Sequence, residues 1–393
     1  MNRADEDDHD DRDGRNGTEP DEEESATHRA LLLEKALFFA TLRCSLCFRC
    51  HASTLADRNR PRGILSDMAV DSGPIRVIAR NDGETSLSHD VDRINIMAII
   101  LGDNQYGKAE SRVVRIVRDT ARHEIHDLNV TTALRGPFAE AYLSGDQSNV
   151  LPTDTQKNTA YAFAKTKGVE AIEQYGLELA RHFVNETDPV EGARIEIEEF
   201  AWERALVDGT EHDHTWLRKG QEVRTAAITV DTTGEYVIGG LKDLVLLKST
   251  GSEFAGFLSD EFTTLPETHD RVMATALDAK WRFTSVDVDW NAVYPEIKAL
   301  MVKEFATLQS LALQQTLWHM GTAVMEAFPF IAEVRLKAPN KHHFDYDLGR
   351  FGIENRGEVF FASDRAYGLI EATLLRDDAP PANDAWRASA GLA

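Results

Sequence analysis

Apolar and polar residues alternate in several segments after Tyr106, and this period of two predicts β-strands. The strictest alternation runs from Arg194 to Trp202 (RIEIEEFAW). Further strands are expected at 112–118, 123–134, 160–165 and 224–231. The segment 170–185 (EAIEQYGLELARHFVN) instead places apolar residues at helical spacing. The first half of the folded region is therefore interpreted as hairpin, helix, hairpin.

The same order of elements recurs in the second half. Strands are expected near 243–249, 278–285, 330–337, 343–348 and 357–362. A long helical region over 290–326 lies among them, with a break near 306–310. The repeated order predicts an α+β fold of two tandem domains, each an antiparallel β-sheet with helices packed on one face. We place these domains at 101–235 and 236–378.

The chain outside those domains has a different composition. Residues 1–30 hold 12 acidic and 4 basic residues and no aromatic one, which is typical of disorder. We expect an acidic, disordered leader over 1–100 and a flexible C-terminal tail over 379–393. Met97 is an alternative start, and a chain that began there would lack the leader.

Composition narrows the class of protein and its partners. The 393 residues, 42% of them hydrophobic, are enough for two globular domains. No apolar run reaches the length of a membrane span. The net charge of −23 argues against nucleic acid or an anionic membrane as a partner, because both repel an acidic surface.

The three cysteines, Cys44, Cys47 and Cys50, all lie within CSLCFRC. Their confinement to the leader excludes a disulfide framework and favours a reducing compartment. The C-S-L-C spacing suits a metal, but only His51 follows, and no second pair has the spacing of a zinc finger. We therefore interpret them as cysteines of a weakly structured leader.

The most informative stretch is 246–282. In it, a long polar connection that carries Phe254 and Arg271 joins two expected strands. Long ordered connections are usually functional. An aromatic face beside a guanidinium suits a flat, anionic ring. Walker, GxGxxG, HExxH and GxSxG motifs are absent from the sequence. His212 and His214, in GTEHDHTW, are interpreted as surface histidines in a turn.

Other motifs accompany that connection. YGK (106–108), LPTDTQKN (151–158) and APNKHHFDYDL (338–348) are each weak alone, since a surface lysine, a helix cap or a turn would explain them. Together with LKSTGSEFAGFLSDEFTTLPETHDR (247–271) and QQTLWHMG (314–321), they resemble the urate oxidase family, the cofactor-independent uricases. The resemblance covers about 105–376.

The resemblance implies a binding site for urate. Phe254 would stack on the purine, and Arg271 would donate paired hydrogen bonds to it. Gln314 would pair with the opposite edge of the ring, assisted by the backbone of Leu313, where the family often has valine. Asp154 would lie beside the purine with its backbone amide.

The resemblance also implies catalytic residues and an assembly. Lys108 and Thr153 would form a proton relay supported by His342, and Asn340 would hold O₂ or water above the ring. Urate would be oxidised to 5-hydroxyisourate and H₂O₂ without a metal or organic cofactor. The implied fold is a pair of tandem T-fold domains, and four chains would form a tunnel-shaped barrel with each active site between two chains.

Two alternatives remain open. A zinc-dependent T-fold pterin enzyme needs Cys or His ligands, and the expected folded region has no Cys. A non-catalytic purine-binding homologue would not need Lys108 or Thr153, yet both are present. The C-terminal AGLA is not a peroxisomal signal and the acidic start is not a secretion signal, so we expect a cytoplasmic protein.

Overall fold

A computed structural model describes residues 99–388 of the chain. The predictions for the acidic leader up to residue 98, including its three cysteines, lie outside the described residues. So do those for residues 389–393 of the expected tail.

Four long strands and three helices form the first half of the fold. The strands are β1 (Tyr106–Val117), β2 (Glu124–Arg135), β3 (Gly192–Val207) and β4 (Thr210–Asp231). Between β2 and β3 lie the helices α1 (Ala139–Leu143), α2 (Thr153–Thr166) and α3 (Ile172–Glu186).

The second half follows the same order with a short insertion. It contains β5 (Gly234–Lys248), β6 (Met273–Phe283), α4 (Trp290–Thr307), α5 (Leu313–Ala327), β7 (Ile331–Lys341) and β10 (Gly368–Leu375). The insertion between β7 and β10 holds β8 (His343–Asp345) and β9 (Phe360–Ala362). Two 3₁₀ turns occupy Gly349–Phe351 and Asn383–Trp386.

The long strands form one antiparallel sheet in the order β1-β2-β3-β4-β5-β6-β7-β10. Each half supplies four neighbouring strands, with its helices between the second and third. This arrangement confirms the predicted fold class of two tandem T-folds. The sheet continues through the β4–β5 hairpin, so the division into separate domains near residue 235 stays a prediction.

One face of the sheet packs against the helices. Ile195 and Ile197 of β3 are buried, and α3, with its buried Phe183, packs against this strand; in the second half, α5, with its buried Leu317, packs against β7 and β10. Arg194, which precedes Ile195, and Glu196, which lies between the two isoleucines, point to the opposite face, because side chains alternate along a strand. Burial of each large apolar side chain contributes about 1.5–3 kcal/mol. None of the helices in residues 99–388 is long and apolar enough to cross a membrane.

The prediction of a strand at 160–165 is wrong, because this segment lies within α2. Gln156, Ala160 and Ala164 are its buried residues, and their spacing of four is that of a helix face. Alanine also favours a helix over a strand. The alternation of alanine with larger residues was therefore misleading.

Two predicted turns are strands in the structure. β3 and β4 turn at Asp208 and Gly209, both of which have positive φ, so His212 and His214 lie on β4. β7 extends through Asn340, which pairs with β10. The sequence pattern did not reveal β10, and without that partner a Pro-Asn pair resembles a turn.

Residues 379–388 pack against the sheet, so the prediction of a flexible tail is wrong for them. Arg282 of β6 donates a hydrogen bond to the Pro380 carbonyl at 3.0 Å. Arg194 of β3 donates to the Ala385 carbonyl at 2.8 Å, and Ala385 is buried. The partners come from strands distant in sequence, which local composition does not show.

Candidate active site

A cavity of about 700 Å³ lies where the 249–272 connection, the start of α5 and the end of β7 meet. Six of the nine predicted site residues line it: Phe254, Arg271, Leu313, Gln314, Asn340 and His342. These residues span almost 90 positions of the chain, and the sheet and helices bring them to one place.

Backbone hydrogen bonds fix the 249–272 connection. The N–H groups of Phe254 and Thr268 each donate to the other residue's carbonyl, at 2.8 and 3.0 Å. The Arg271 N–H donates to the Ser252 carbonyl at 2.8 Å. The connection is therefore a closed, hydrogen-bonded loop that holds Phe254 and Arg271 close together.

A second set of bonds ties this loop to the segment before α5. The Glu253 N–H donates to the Ser310 carbonyl at 2.8 Å, and the Ser310 N–H donates to the Gly251 carbonyl at 2.9 Å. The Ser310 hydroxyl also lies 2.8 Å from the hydroxyl of Thr316 in α5. The position of Arg271 is thereby coupled to the first turn of α5.

The Arg271 guanidinium is an unpaired cation in the described part of the chain. Its central carbon lies 5.2 Å from the centre of the Phe254 ring. Its buried Nε has no hydrogen-bond partner among residues 99–388, and none of their carboxylates forms an ion pair with it. Burial lowers the pKa of Arg271, but a guanidinium stays charged at neutral pH. The cavity therefore offers a cation and an aromatic face to an anion.

The start of α5 adds polar groups to the cavity. Leu313 and Gln314 are its first two residues, and no side chain caps this end of the helix. N–H groups in the first turn have no partner within the helix, and the helix dipole favours negative charge there. The exposed Gln314 side chain supplies one donor and one acceptor.

Asn340 and His342 lie where β7 ends. Asn340 is paired with Thr275 of β6 and Gly368 of β10, which fixes its backbone. The His342 ring stacks on Phe344 at 5.6 Å. Burial lowers the pKa of His342, and the charge of Arg271 lowers it further. The lowered pKa favours the neutral form of His342, which can accept or donate a proton.

Lys108, Thr153 and Asp154 form a second group, at β1 and the start of α2. The Lys108 N–H donates to the Thr132 hydroxyl at 3.3 Å, and that hydroxyl donates to the Gln156 side chain at 2.7 Å. Thr132 and Gln156 are buried. This chain of hydrogen bonds joins the backbone of Lys108 to the helix that begins with Thr153.

The strand around Lys108 has special local geometry. A β-carbon on Gly107 would lie 1.8 Å from the Thr132 carbonyl oxygen, so glycine allows β1 to approach β2 closely. The ladder shifts register between Lys108 and Ser111, and Glu110 has a φ of 54°. Such bulges redirect neighbouring side chains, and here the bulge directly follows Lys108.

Asp154 is exposed and accepts hydrogen bonds from Lys157 and Asn158. The hydrogen bond from Lys157, followed by that from Asn158, lowers the pKa of Asp154, and the charge of Lys108 contributes. The carboxylate therefore stays ionised and lies close enough to Lys108 to interact with its charge.

The two groups lie at opposite sides of the sheet. β1 is one edge, whereas β7 is next to the other edge. Six strand spacings of about 4.8 Å separate them by about 29 Å along the sheet. None of Lys108, Thr153 and Asp154 lines the cavity. One chain thus carries the predicted site residues in two separate groups.

Sequence reasoning missed the residues that position these two groups. Thr132 and Gln156 form the hydrogen bonds that fix the backbone of Lys108. Ser252 and Ser310 form those that fix the loop of Arg271. Gln156 follows Thr153 by three residues within LPTDTQKN, so its place on a helix was a usable signal. The other three are ordinary hydroxyl residues whose partners are distant in sequence.

Comparison with known proteins identifies the family. The family model described as Uricase matches residues 104–229 and 237–371. A uricase from Arthrobacter globiformis is 48% identical over 294 residues, which is 75% of this chain and 96% of that protein. A uricase from Dictyostelium discoideum is 36% identical over 278 residues, covering 70% of this chain and 96% of that protein.

Solved structures agree with the sequence comparison. The crystal structure of uricase from Arthrobacter globiformis superposes with a TM-score of 0.69 at 49% identity, covering 72% of this chain and 97% of that one. The fold also matches a urate oxidase from Bacillus sp. TB-90 with a TM-score of 0.62 at 22% identity. The chain belongs to the uricase family.

Proposed function

We propose that the protein is a urate oxidase, which converts urate, O₂ and water into 5-hydroxyisourate and H₂O₂. The observation that carries this proposal is the unpaired Arg271 guanidinium beside the Phe254 ring in a cavity. Urate is a flat anion, and a guanidinium fork matches both its charge and its plane. Membership of the uricase family supports the same reaction.

The cavity groups fit the edges of the purine. Arg271 donates two hydrogen bonds to one edge, while Phe254 stacks on the ring face. Gln314 pairs with an N–H and C=O edge, and the Leu313 N–H donates to a ring acceptor. A site that satisfies these polar edges discriminates against purines that lack them, because its own groups would be left unpaired.

The chemistry requires a proton acceptor and a place for O₂. Lys108, acting through the Thr153 hydroxyl, removes a proton from urate and raises the electron density of the ring. Urate then supplies two electrons to O₂, and water adds where the peroxide leaves, so the atoms and electrons balance. Asn340 orients O₂ or water above the ring, and neutral His342 relays protons. We propose that no metal or organic cofactor takes part.

Each active site is completed by two chains in this proposal. Lys108, Thr153 and Asp154 come from one chain, and the residues that line the cavity come from another. The two half-sites, the Lys108 group and the cavity group, lie six strand spacings apart in the sheet, and none of Lys108, Thr153 and Asp154 lines the cavity, which supports this arrangement. A homotetramer of the tandem T-folds would bring opposite sheet edges together. A cytoplasmic location remains part of the proposal.

Neither alternative has a supporting observation. Within residues 99–388, no group of three or more His, Cys, Asp or Glu side chains is arranged to hold a metal ion. A non-catalytic purine-binding protein would not need the buried hydrogen bonds that place Lys108 beside α2.

The test is urate consumption by the purified full-length protein in aerated buffer. We expect loss of the ultraviolet absorbance of urate with release of one H₂O₂ per urate. An assembled protein that binds urate but neither consumes it nor releases H₂O₂ would overturn the proposal in favour of a binding protein.

A further inference from the structure

Phe254 is one layer of an aromatic stack. Its ring lies 4.8 Å from that of Phe257, with 16° between the two planes. Phe254 lines the cavity together with Arg271, whereas Phe257 is not among the lining residues. A flat ring has two faces, and a stacked Phe257 that does not line the cavity fits the face of Phe254 that is turned away from it.

A tight reversal of the chain brings the two rings together. Gly256 has a φ of 72°, a conformation that glycine adopts without the steric cost of a β-carbon. Its N–H donates to the Glu267 carboxylate at 2.8 Å. The space around Gly256 is open, so the backbone conformation, and not crowding, favours glycine here. The reversal returns Phe257 to the ring three residues before it.

We propose that Phe257 is a positioning residue that backs the Phe254 ring, so that a bound purine becomes the third layer of the stack. Phe254 is only half-buried, and hydrogen bonds fix its backbone but not its ring. A ring whose orientation is already fixed by a stacked neighbour loses less side-chain freedom when the ligand binds. The inference rests on the proposed function for the identity of the ligand, but its geometry stands without it.

Phe257→Leu in the full-length protein tests this role, because leucine keeps apolar bulk but provides no flat face. We expect the KM for urate and the Kd for xanthine, a flat purine probe, to rise about two- to tenfold, the range expected for one aromatic pair. We expect kcat to change less than twofold, because Phe257 does not touch the reacting atoms. Phe257→Tyr keeps the flat face, so its KM for urate and its Kd for xanthine should equal those of the wild type.

Phe262→Leu is the matched control, since Phe262 lies in the same loop and is 80% exposed. It should leave both constants unchanged. Equal rises in the two leucine variants, or a Phe257→Leu variant that binds xanthine as tightly as the wild type, would overturn the role of Phe257. Tighter binding by Phe257→Leu would place its ring on the ligand face and contradict the stack.

Xanthine binding separates this inference from the proposed function. A wild type that binds xanthine in a Phe257-dependent way but does not oxidise urate would uphold the stack and refute the oxidase. A wild type that oxidises urate with no dependence on Phe257 would uphold the oxidase and refute the stack.

Discussion

The guanidinium carbon of Arg271 lies 5.2 Å from the centre of the Phe254 ring, at one wall of the cavity. The loop that carries both residues is joined to the start of α5 by the Glu253–Ser310 and Ser310–Gly251 hydrogen bonds. The backbone that carries Arg271 and Phe254 and the first turn of α5 are therefore held together as one preorganised unit. Preorganisation of this kind lowers the cost of ordering the site when a ligand binds.

Arg271→Lys should weaken urate binding while the fold stays intact. Lysine keeps the charge but loses the paired, planar donors. Loss of one charge-assisted hydrogen bond, about 1.5–3 kcal/mol, raises KM about 10- to 150-fold. Steady-state kinetics and xanthine binding measure the effect. Arg356→Lys is the control, because Arg356 lines the same cavity but is exposed and paired with Glu354. Equal effects in both variants would contradict the role of Arg271 as the residue that binds the urate anion.

Lys108→Met should reduce turnover and spare binding. Removal of a general base lowers kcat by about 10²–10⁴-fold, whereas the cavity that holds the purine is unchanged. The Kd for xanthine should stay within about threefold of the wild type. Lys157→Met controls for loss of a lysine at the same place, since Lys157 bonds the exposed Asp154. A large loss of kcat in Lys157→Met with none in Lys108→Met would show that Lys157, and not Lys108, is the base.

Gly107→Ala should destabilise the Lys108 half-site. The added methyl group would lie 1.8 Å from the Thr132 carbonyl oxygen, so β1 must move away from β2. We expect a loss of about 1–3 kcal/mol in the free energy of unfolding and a fall in kcat. Chemical denaturation and kinetics measure the two effects. Gly102→Ala, which has nothing within 4 Å of its added carbon, should behave like the wild type; equal stability of the two variants would contradict the close approach.

His342 should titrate below the ordinary pKa of histidine, about 6.5. Burial and then the charge of Arg271 lower its pKa, so the folded protein resists protonation. The contribution of neutral His342 to stability is complete above the ordinary pKa and declines as the pH falls below it, because the unfolded chain takes up the proton first. NMR titration, with His342→Gln for assignment, measures the pKa. Arg271→Ala should raise it; no rise would contradict the coupling.

The sequence predicted the fold where its pattern was local. The strict alternation at 194–202 lies in β3, and the helical spacing at 170–185 matches α3. The expected break near 306–310 separates α4 from α5. In these segments the periodicity follows directly from which face is buried.

The pattern was insufficient where pairing is long-range. Asn340 lies in a strand because β7 pairs there with both β6 and β10, and the 160–165 segment is helical because Ala160 and Ala164 pack on the core. The residues of the candidate site came from motifs, but their separation into two groups required the strand order. The hydroxyls of Thr132 and Ser310 have partners that no spacing rule reveals.

The most direct test of the central claim is recovery of urate oxidation in mixed oligomers of Lys108→Met and Arg271→Ala. The two variants, carrying different affinity tags, are coexpressed and purified through both tags. Each variant alone should be nearly inactive. If each site takes one half from each of two chains, random mixing restores roughly a quarter of wild-type activity, because that share of sites receives both intact halves. Doubly tagged oligomers that remain as inactive as either variant alone would contradict a site shared between chains.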